Sequence, residues 1–527
     1  MTAALRLTLY RRPGCSLCDE AERLLEAEAA RQGVALSLVR VDIDADPERL
    51  ARFLLAIPVV ADAEGNVRLQ APVDAAGVRA LITELASEAP HGPRPHLSPH
   101  PGMEVAASMA SHAPESAASG PRLSRRAAGI PGSPTVALDA RAKAMLAAGE
   151  QVLNLAVGEP DLPPPAAALE AARRGLERAT KYAPPAGRPE LRRAVAAAAE
   201  REHGVATTPD MVLVGVGGKQ VLYSLFHVLF DPGDRVLVPV PYWVSYPDQL
   251  RLAGCESVFV PTRPEDGWRL TAAAVAARIG PGVRGIVLNS PNNPTGAIVD
   301  EGEFTAILDL CRRHDLWVVS DEIYGVLTYG GRTAPSARTL AARAGMDLRR
   351  VVVVDGASKK FAMTGFRVGW AIAPPDVVEA AARLQSQVTS SAAAPCQLAA
   401  EAALADDGGS VAHMRQVYEE RRDRFVAGLN ALGLATPLPD GAFYAWCSAA
   451  PFLGRSVAGV PCFSTEQVAA RLLDVARIAC VPGEAFGQPG YLRMSFANPQ
   501  EVLDLALARL GEVLAATTDV ATGTTAS

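Results

Sequence analysis

The sequence predicts an α/β protein in two unequal parts: a small mixed unit at the N-terminus, then a large, mainly parallel sheet covered on both faces by helices. Three observations carry this reading. Apolar runs of strand length, Val236-Leu237-Val238, Gly285-Ile286-Val287-Leu288, Leu316-Trp317-Val318-Val319 and Val351 to Val354, recur with helical segments between them, as buried parallel strands do. Residues Leu5 to Leu85 have a separate order, β-α-β-α-β-β-α. Between the two parts, from Ala86 to Pro121, periodicity gives way to Pro, Ser, His, Ala and Gly, a composition too polar and Pro-rich to pack.

Within the small unit, Leu5, Leu7 and Leu9 alternate as a strand. Ser16 opens a helix with Leu17, Ala21, Leu24 and Leu25 on one face, and Leu36 to Ile43 is a second strand. A short helix, strands near Pro58 and Val67, and a helix from Ala75 to Leu85 complete a domain bounded at 1–86. Residues 87–121 are expected to be a disordered linker; it holds four of the eight histidines, but no cysteine or carboxylate cluster stands beside them, so no metal site is expected. The large domain spans 122–515, and the small, polar residues 516–527 are expected to be a disordered tail.

A chain of 527 residues has room for about three folding units and a sizeable core. The net charge of −6 with no basic block argues against a nucleic-acid partner and for a small molecule. No stretch approaches ~18 apolar residues and no apolar leader follows Met1, which argues for the cytoplasm and against a membrane partner. Eight cysteines are too few for a disulfide scaffold, and only Cys15 and Cys18 stand close enough to form a site. Of the 51 Lys plus Arg only five are lysine, at 143, 181, 219, 359 and 360, so each survivor is a candidate for chemistry that arginine cannot perform.

In parallel sheets ligands bind beyond the carboxyl ends of the strands. Those positions hold Ser290-Pro291-Asn292-Asn293-Pro294-Thr295-Gly296, Ser320-Asp321-Glu322-Ile323-Tyr324 and Gly356-Ala357-Ser358-Lys359-Lys360. Asp at a strand end is commonly a helix cap and Asn-Pro a turn, but three consecutive strand ends deliver polar groups to one place.

In this order and spacing, SPNNPTG (290–296), SDEIY (320–324) and SKKFAMTGFRVGW (358–370) resemble the class I, fold-type I pyridoxal-phosphate (PLP) aminotransferases. So do NLAVGEPD (154–161), KYAPPAGRPELR (181–192), GVGGKQ (215–220), PYWVSY (241–246), GAFY (441–444) and YLRMSFA (491–497), covering roughly Leu123 to Leu514. LSRR (123–126), Ser133 and GGKQ most resemble the bacterial aspartate aminotransferase branch. The resemblance implies a seven-stranded, mainly parallel sheet plus a small α/β domain, PLP as cofactor, and transfer of an amino group from an acidic L-amino acid, most of all aspartate, to a 2-oxo acid such as 2-oxoglutarate. A C–S lyase on the same fold is the alternative.

The resemblance also implies roles. Lys359 carries the cofactor and moves the Cα proton, which requires a neutral amine; it stands eight residues before the phosphate-binding Arg367, whereas Lys360 reads as a solvated or packing lysine. Asp321 holds the pyridine nitrogen protonated. Tyr324 and Asn293 bind the phenolic oxygen, and Trp243 stacks on the ring. Gly217, Gly218, Lys219, Ser358 and Arg367 hold the phosphate, joined by Tyr182 from the neighbouring subunit of a homodimer. Arg493 and the backbone of Gly158 take the α-carboxylate, while Lys219 and Ser133 read the distal one. Branch members that accept prephenate carry a basic residue two positions before that serine; Pro131 stands there, which argues against prephenate. GVGGKQ is not a nucleoside-triphosphate loop, because Gln220 replaces the magnesium-binding Ser or Thr.

Tyr10-Arg11-Arg12-Pro13-Gly14-Cys15-Ser16-Leu17-Cys18-Asp19 follows a strand and opens a helix. It resembles the glutaredoxin-like proteins of the thioredoxin fold, with Ile57-Pro58 matching their cis-proline. Cys15 is then the attacking thiolate, acidified by the helix N-terminus and by Arg11 and Arg12, and Cys18 the resolving thiol. Leu69-Gln70-Ala71-Pro72 departs from the family's glycines and argues against glutathione binding.

Overall fold

The computed structural model of the chain describes residues 5–11, 16–42, 59–61, 67–70, 78–79, 81–83, 85, 124 and 134–520. The chain divides into two units, 1–118 and 119–527.

In the first unit β1 (Leu5–Arg11) pairs in parallel with β2 (Leu36–Asp42). Their connection holds the helix Ser16–Arg31, long enough for the crossover that a parallel pair needs. On its other edge β1 pairs antiparallel with β3 (Val59–Ala61), which meets β4 (Val67–Gln70), giving the order β2-β1-β3-β4. Leu7 and Leu9 alternate onto one face and bury against Ala21, Leu25 and Ala29 of the helix, with Val60, Val78, Leu81 and Ile82. The expected short second helix, Ile57-Pro58 and the linker 87–121 lie outside the described residues.

In the second unit β5 (Leu153–Asn154) precedes the central strands β6 (Val212–Gly215), β7 (Arg235–Val240), β8 (Glu256–Pro261), β9 (Val283–Asn289), β10 (Trp317–Asp321), β11 (Val351–Gly356) and β12 (Gly369–Ile372). They form one seven-stranded sheet in the order β6-β12-β11-β10-β9-β7-β8. Only β12 runs antiparallel to its neighbours. The short segment Ala357–Val368 returns the chain to the sheet without a long crossover helix, as an antiparallel pair allows.

Alternation along the buried strands sorts the side chains onto two faces. Ile286, Leu288, Val318, Val351 and Val353 pack with Phe304, Ile307 and Leu308 of the helix Glu301–Arg313. On the other face Val287, Val319, Val352 and Val354 pack with Leu222, Leu225 and Phe226 of the helix Gly217–Leu229.

The small domain contains β13 (Tyr444–Ser448), β14 (Arg455–Val457), β15 (Val460–Cys462), β16 (Ile478–Ala479), β17 (Val481–Pro482) and β18 (Tyr491–Ser495). β13, β18 and β17 form its main sheet. Because β5 pairs with β16, the segment that follows β5 is tied into this domain. The tail departs from expectation: after the helix Gln500–Ala515, β19 (Thr518–Asp519) pairs with Arg455 and Ser456 of β14, and Thr517 is buried. Two paired residues carry no periodicity by which sequence could reveal them. Residues 521–527 lie outside the described residues. Among the described residues no helix is long and apolar enough to cross a membrane.

Candidate active site

The central strands other than β12 point one way, so their carboxyl ends open on a common rim. Beyond it lies a cavity of about 550 Å³ whose lining includes Gly158, Gly218, Lys219, Trp243, Asn293, Asp321, Tyr324, Ser358, Lys359, Arg367 and Arg493. Gly217 adjoins it against Arg367. Tyr182 is 94% exposed and does not line the cavity of this chain. Ser133 and Cys15 lie outside the described residues.

Asp321 ends β10 and is only 5% exposed. Tyr246 Oη donates to its Oδ2 at 2.6 Å and the Ile323 amide to its Oδ1 at 3.2 Å. Burial nevertheless pushes the carboxyl up to about 6, against both bonds. One strand over, Asn289 ends β9; its Nδ2 donates to Asp321 O at 3.0 Å and its Oδ1 accepts from the Asn293 amide at 2.8 Å. Asn293 Oδ1 in turn accepts from Arg493 Nη1 at 3.1 Å, while Arg493 Nη2 donates to Ala156 O at 2.6 Å. Arg493 Nε is buried and has no hydrogen-bond partner.

Beyond β11 the chain makes a single helical turn, Ala357–Lys360. Lys359 Nζ enters the cavity and donates to Gly158 O. Burial lowers its pKa to about 8, helped by Arg493 and Arg367 and opposed by Glu159. Lys360 instead takes Glu202 at 2.7 Å and Asp355 at 3.3 Å, with its side chain 6% exposed. It is a packed, ion-paired lysine, and does not line the cavity.

Gly217 opens the helix Gly217–Leu229 with φ +76°, and a Cβ there would stand 2.8 Å from Arg367 Nη2. The positive φ favours glycine there, and its missing Cβ lets the guanidinium approach closely. The first amides of that helix have no partner within it, which together with Arg367 makes an anion cradle. Lys219 Nζ lies 5.1 Å over the Trp243 ring, and burial and Arg367 lower its pKa.

Sequence reasoning left Tyr246, Asn289, Glu159 and Tyr444 without a role, yet all four line the cavity. Tyr246 and Tyr444 stand inside the motifs PYWVSY and GAFY. Asn289 is the last residue of its strand, one position before the inspected run.

The family described as aminotransferase class I and II matches residues 150–510, and a glutaredoxin-like domain (DUF836) matches residues 6–83. The chain belongs to the class I and II aminotransferases. It is similar to the probable aspartate/prephenate aminotransferase of Thermus aquaticus, 42% identical over 396 residues covering 74% of this chain and 99% of the relative. The aspartate aminotransferase of Streptomyces avermitilis is 40% identical, with 76% of this chain and 98% of the relative covered. Among solved structures, aspartate aminotransferase from Thermus thermophilus with maleate superposes with a TM-score of 0.69 at 42% identity, covering 75% of this chain and 100% of that one.

As an aminotransferase the protein depends on PLP, and the cavity fits that group. A buried lysine with a lowered pKa, a buried carboxyl with a raised one and a glycine-lined cradle beside Arg367 match an aldehyde, a basic ring nitrogen and a phosphate. Among the described residues no group of three or more His, Cys, Asp or Glu could hold a metal ion.

In the glutaredoxin-like domain Cys18 is buried and disulfide-bonded. The expected part of Arg11 as an acidifier rests on Cys15, outside the described residues, while the arginine itself is ion-paired. Its Nη2 meets Asp19 at 2.6 Å and its Nη1 meets Glu22 at 2.8 Å, so two carboxylates on the following helix match its charge. The sequence showed the arginine but not which face of the helix it would meet.

Proposed function

We propose that this aminotransferase takes dicarboxylic L-amino acids, aspartate foremost, and passes the amino group to 2-oxoglutarate. The carrying observation is the pair of cations in one cavity, Arg493 and Lys219. Arg493 binds the α-carboxylate through its fork, with Gly158 beside it; Lys219 binds the distal carboxylate, with Ser133 as second contact. The maleate named with the Thermus thermophilus structure is a dicarboxylate, and supports the same class for this chain. Pro131 in place of a basic residue argues against prephenate as acceptor.

Gly217, Gly218, Ser358 and Arg367 hold the cofactor phosphate, with Tyr182 reaching it from a second copy in a cytoplasmic homodimer with shared active sites. Trp243 covers the ring face, and Tyr324 and the Asn293 amide hold the phenolic oxygen. When bound, PLP supplies an electron sink for the charge left as the substrate Cα–H bond breaks. Asp321 keeps a proton on the pyridine nitrogen, the burial that raises its pKa being offset by that cation. Lys359 Nζ takes the Cα proton, for which an amine with a pKa of about 8 is suited at neutral pH. The N-terminal module exchanges thiols and disulfides through Cys15 and Cys18.

Incubating the holoenzyme with single amino acids and following the cofactor absorbance tests the reading. Aspartate and glutamate should convert the cofactor to its amine form far faster than alanine; equal rates would contradict it.

A further inference from the structure

The hydroxyls of Tyr324 and Tyr444 lie 2.8 Å apart, both buried in the cavity wall. Tyr444 opens β13 and pairs with Ser495 of β18, the strand that also carries Arg493. Its ring stands edge-on to that of Tyr324, at 5.8 Å and 80°, and lies 4.4 Å from the Arg493 guanidinium carbon. At Gly158 a Cβ would come within 2.6 Å of Tyr444 Oη, so a larger residue there would displace the loop from the hydroxyl. Tyr444 thus touches three residues, Tyr324, Arg493 and Gly158, that the sequence marks for other reasons.

A phenol has one proton to give and two lone pairs to receive with. If Tyr324 spends its proton on Tyr444, none is left for the cofactor. We propose that Tyr444 is a positioning residue for the reaction: its hydroxyl donates to Tyr324 Oη and so frees the Tyr324 proton for the phenolic oxygen of the cofactor. This rests on the reading of Tyr324 given above. The guanidinium over the Tyr444 ring favours that direction, since a cation there makes Tyr444 the readier donor. Burial raises both phenols, Tyr324 well above its usual value. In a chain of two such bonds each strengthens the other, so the bond at the phenolic oxygen gains from the one behind it. The charged groups facing Tyr444 are Arg493 and Glu159, those facing Tyr324 are Arg493 and Asp321, and those facing Lys359 are Glu159, Arg493 and Arg367; hydroxyl-only variants leave all of them in place.

The test is the pH titration of the visible absorbance of the PLP-loaded enzyme without substrate, in wild type, Tyr444→Phe, Tyr324→Phe and the double variant. Tyr444→Phe keeps the ring and its packing and removes only the hydroxyl. Its midpoint should rise by about half a pH unit or more, because a weaker donor at the phenolic oxygen leaves the chromophore's proton more tightly held. Tyr324→Phe should raise it further, and the double variant should match Tyr324→Phe alone. An unchanged or lowered midpoint in Tyr444→Phe, with Tyr324→Phe shifted, overturns the relay and leaves the reading of Tyr324 standing. No shift in either variant overturns that reading as well. Additive shifts in the double variant overturn the relay, since the two hydroxyls would then act separately.

Discussion

Lys359 and Lys360 are neighbours in the chain, yet their ammonium groups serve different places: Lys359 Nζ donates to Gly158 O in the active-site cavity, and Lys360 Nζ is held by Glu202 and Asp355. Both stand in the single helical turn Ala357–Lys360, where consecutive residues point about 100° apart. Burial then acts on the two amines in opposite company. With no carboxylate bonded to it, Lys359 falls to about 8, while the carboxylates around Lys360 outweigh its burial and raise it.

This difference gives a pH dependence. The amine that captures the cofactor aldehyde must be unprotonated, and a pKa of about 8 leaves roughly a tenth of Lys359 neutral at pH 7, against well under a thousandth for an ordinary lysine. The rate at which the cofactor-free enzyme takes up PLP should therefore climb about tenfold per pH unit in the acid range and flatten above about pH 8. Stopped-flow absorbance reads it directly; a rate still climbing at pH 10 would mean that the cavity does not lower this pKa.

Asp321→Ala should still bind the cofactor through the glycine cradle and Arg367, yet lose about two orders of magnitude or more in turnover. Electrostatic stabilisation at the reacting centre is commonly worth about 3 kcal/mol or more for a single group. Near-normal turnover would reduce the carboxylate to the backbone cap it also provides for Ile323.

Lys219→Ala should cost aspartate about 1.5–3 kcal/mol in kcat/KM, the worth of a charged hydrogen bond, and alanine little. Lys219 also lies near Arg367, whose charge helps to lower its pKa. An equal loss for both substrates would move Lys219 from the distal carboxylate to the phosphate.

How much of this the sequence disclosed follows from range. Lys359, Asp321 and Asn293 each stand just after an apolar run, so local pattern alone placed them at strand ends. Tyr246 reaches Asp321 across 75 positions, and no periodicity links a helix start to a distant strand end. The antiparallel setting of β12 is not legible in the sequence, because Gly369–Ile372 reads as any short apolar strand, and direction is not written in composition. The ion pairs of Arg11 with Asp19 and Glu22 join a strand end to the following helix, a meeting that no local pattern shows.

The two units should also be separable in function. A fragment beginning near Pro121 is expected to bind PLP and transaminate, while Cys15→Ser in the full chain removes disulfide-reductase activity and leaves transamination intact. Burial raises the pKa of both Cys396 and Cys480, so neither is an activated thiol at which redox control of the aminotransferase would act. Equal transamination rates in oxidised and reduced full-length enzyme are the expected result. A large difference that disappears in Cys15→Ser would show that the module regulates its neighbour.

The central claim is that Lys359 carries the cofactor in this cavity. Reducing the holoenzyme with borohydride, digesting it and locating the pyridoxyl group by mass spectrometry tests it most directly. The label should sit on Lys359 alone; a label on Lys360, or on neither lysine, would contradict the account.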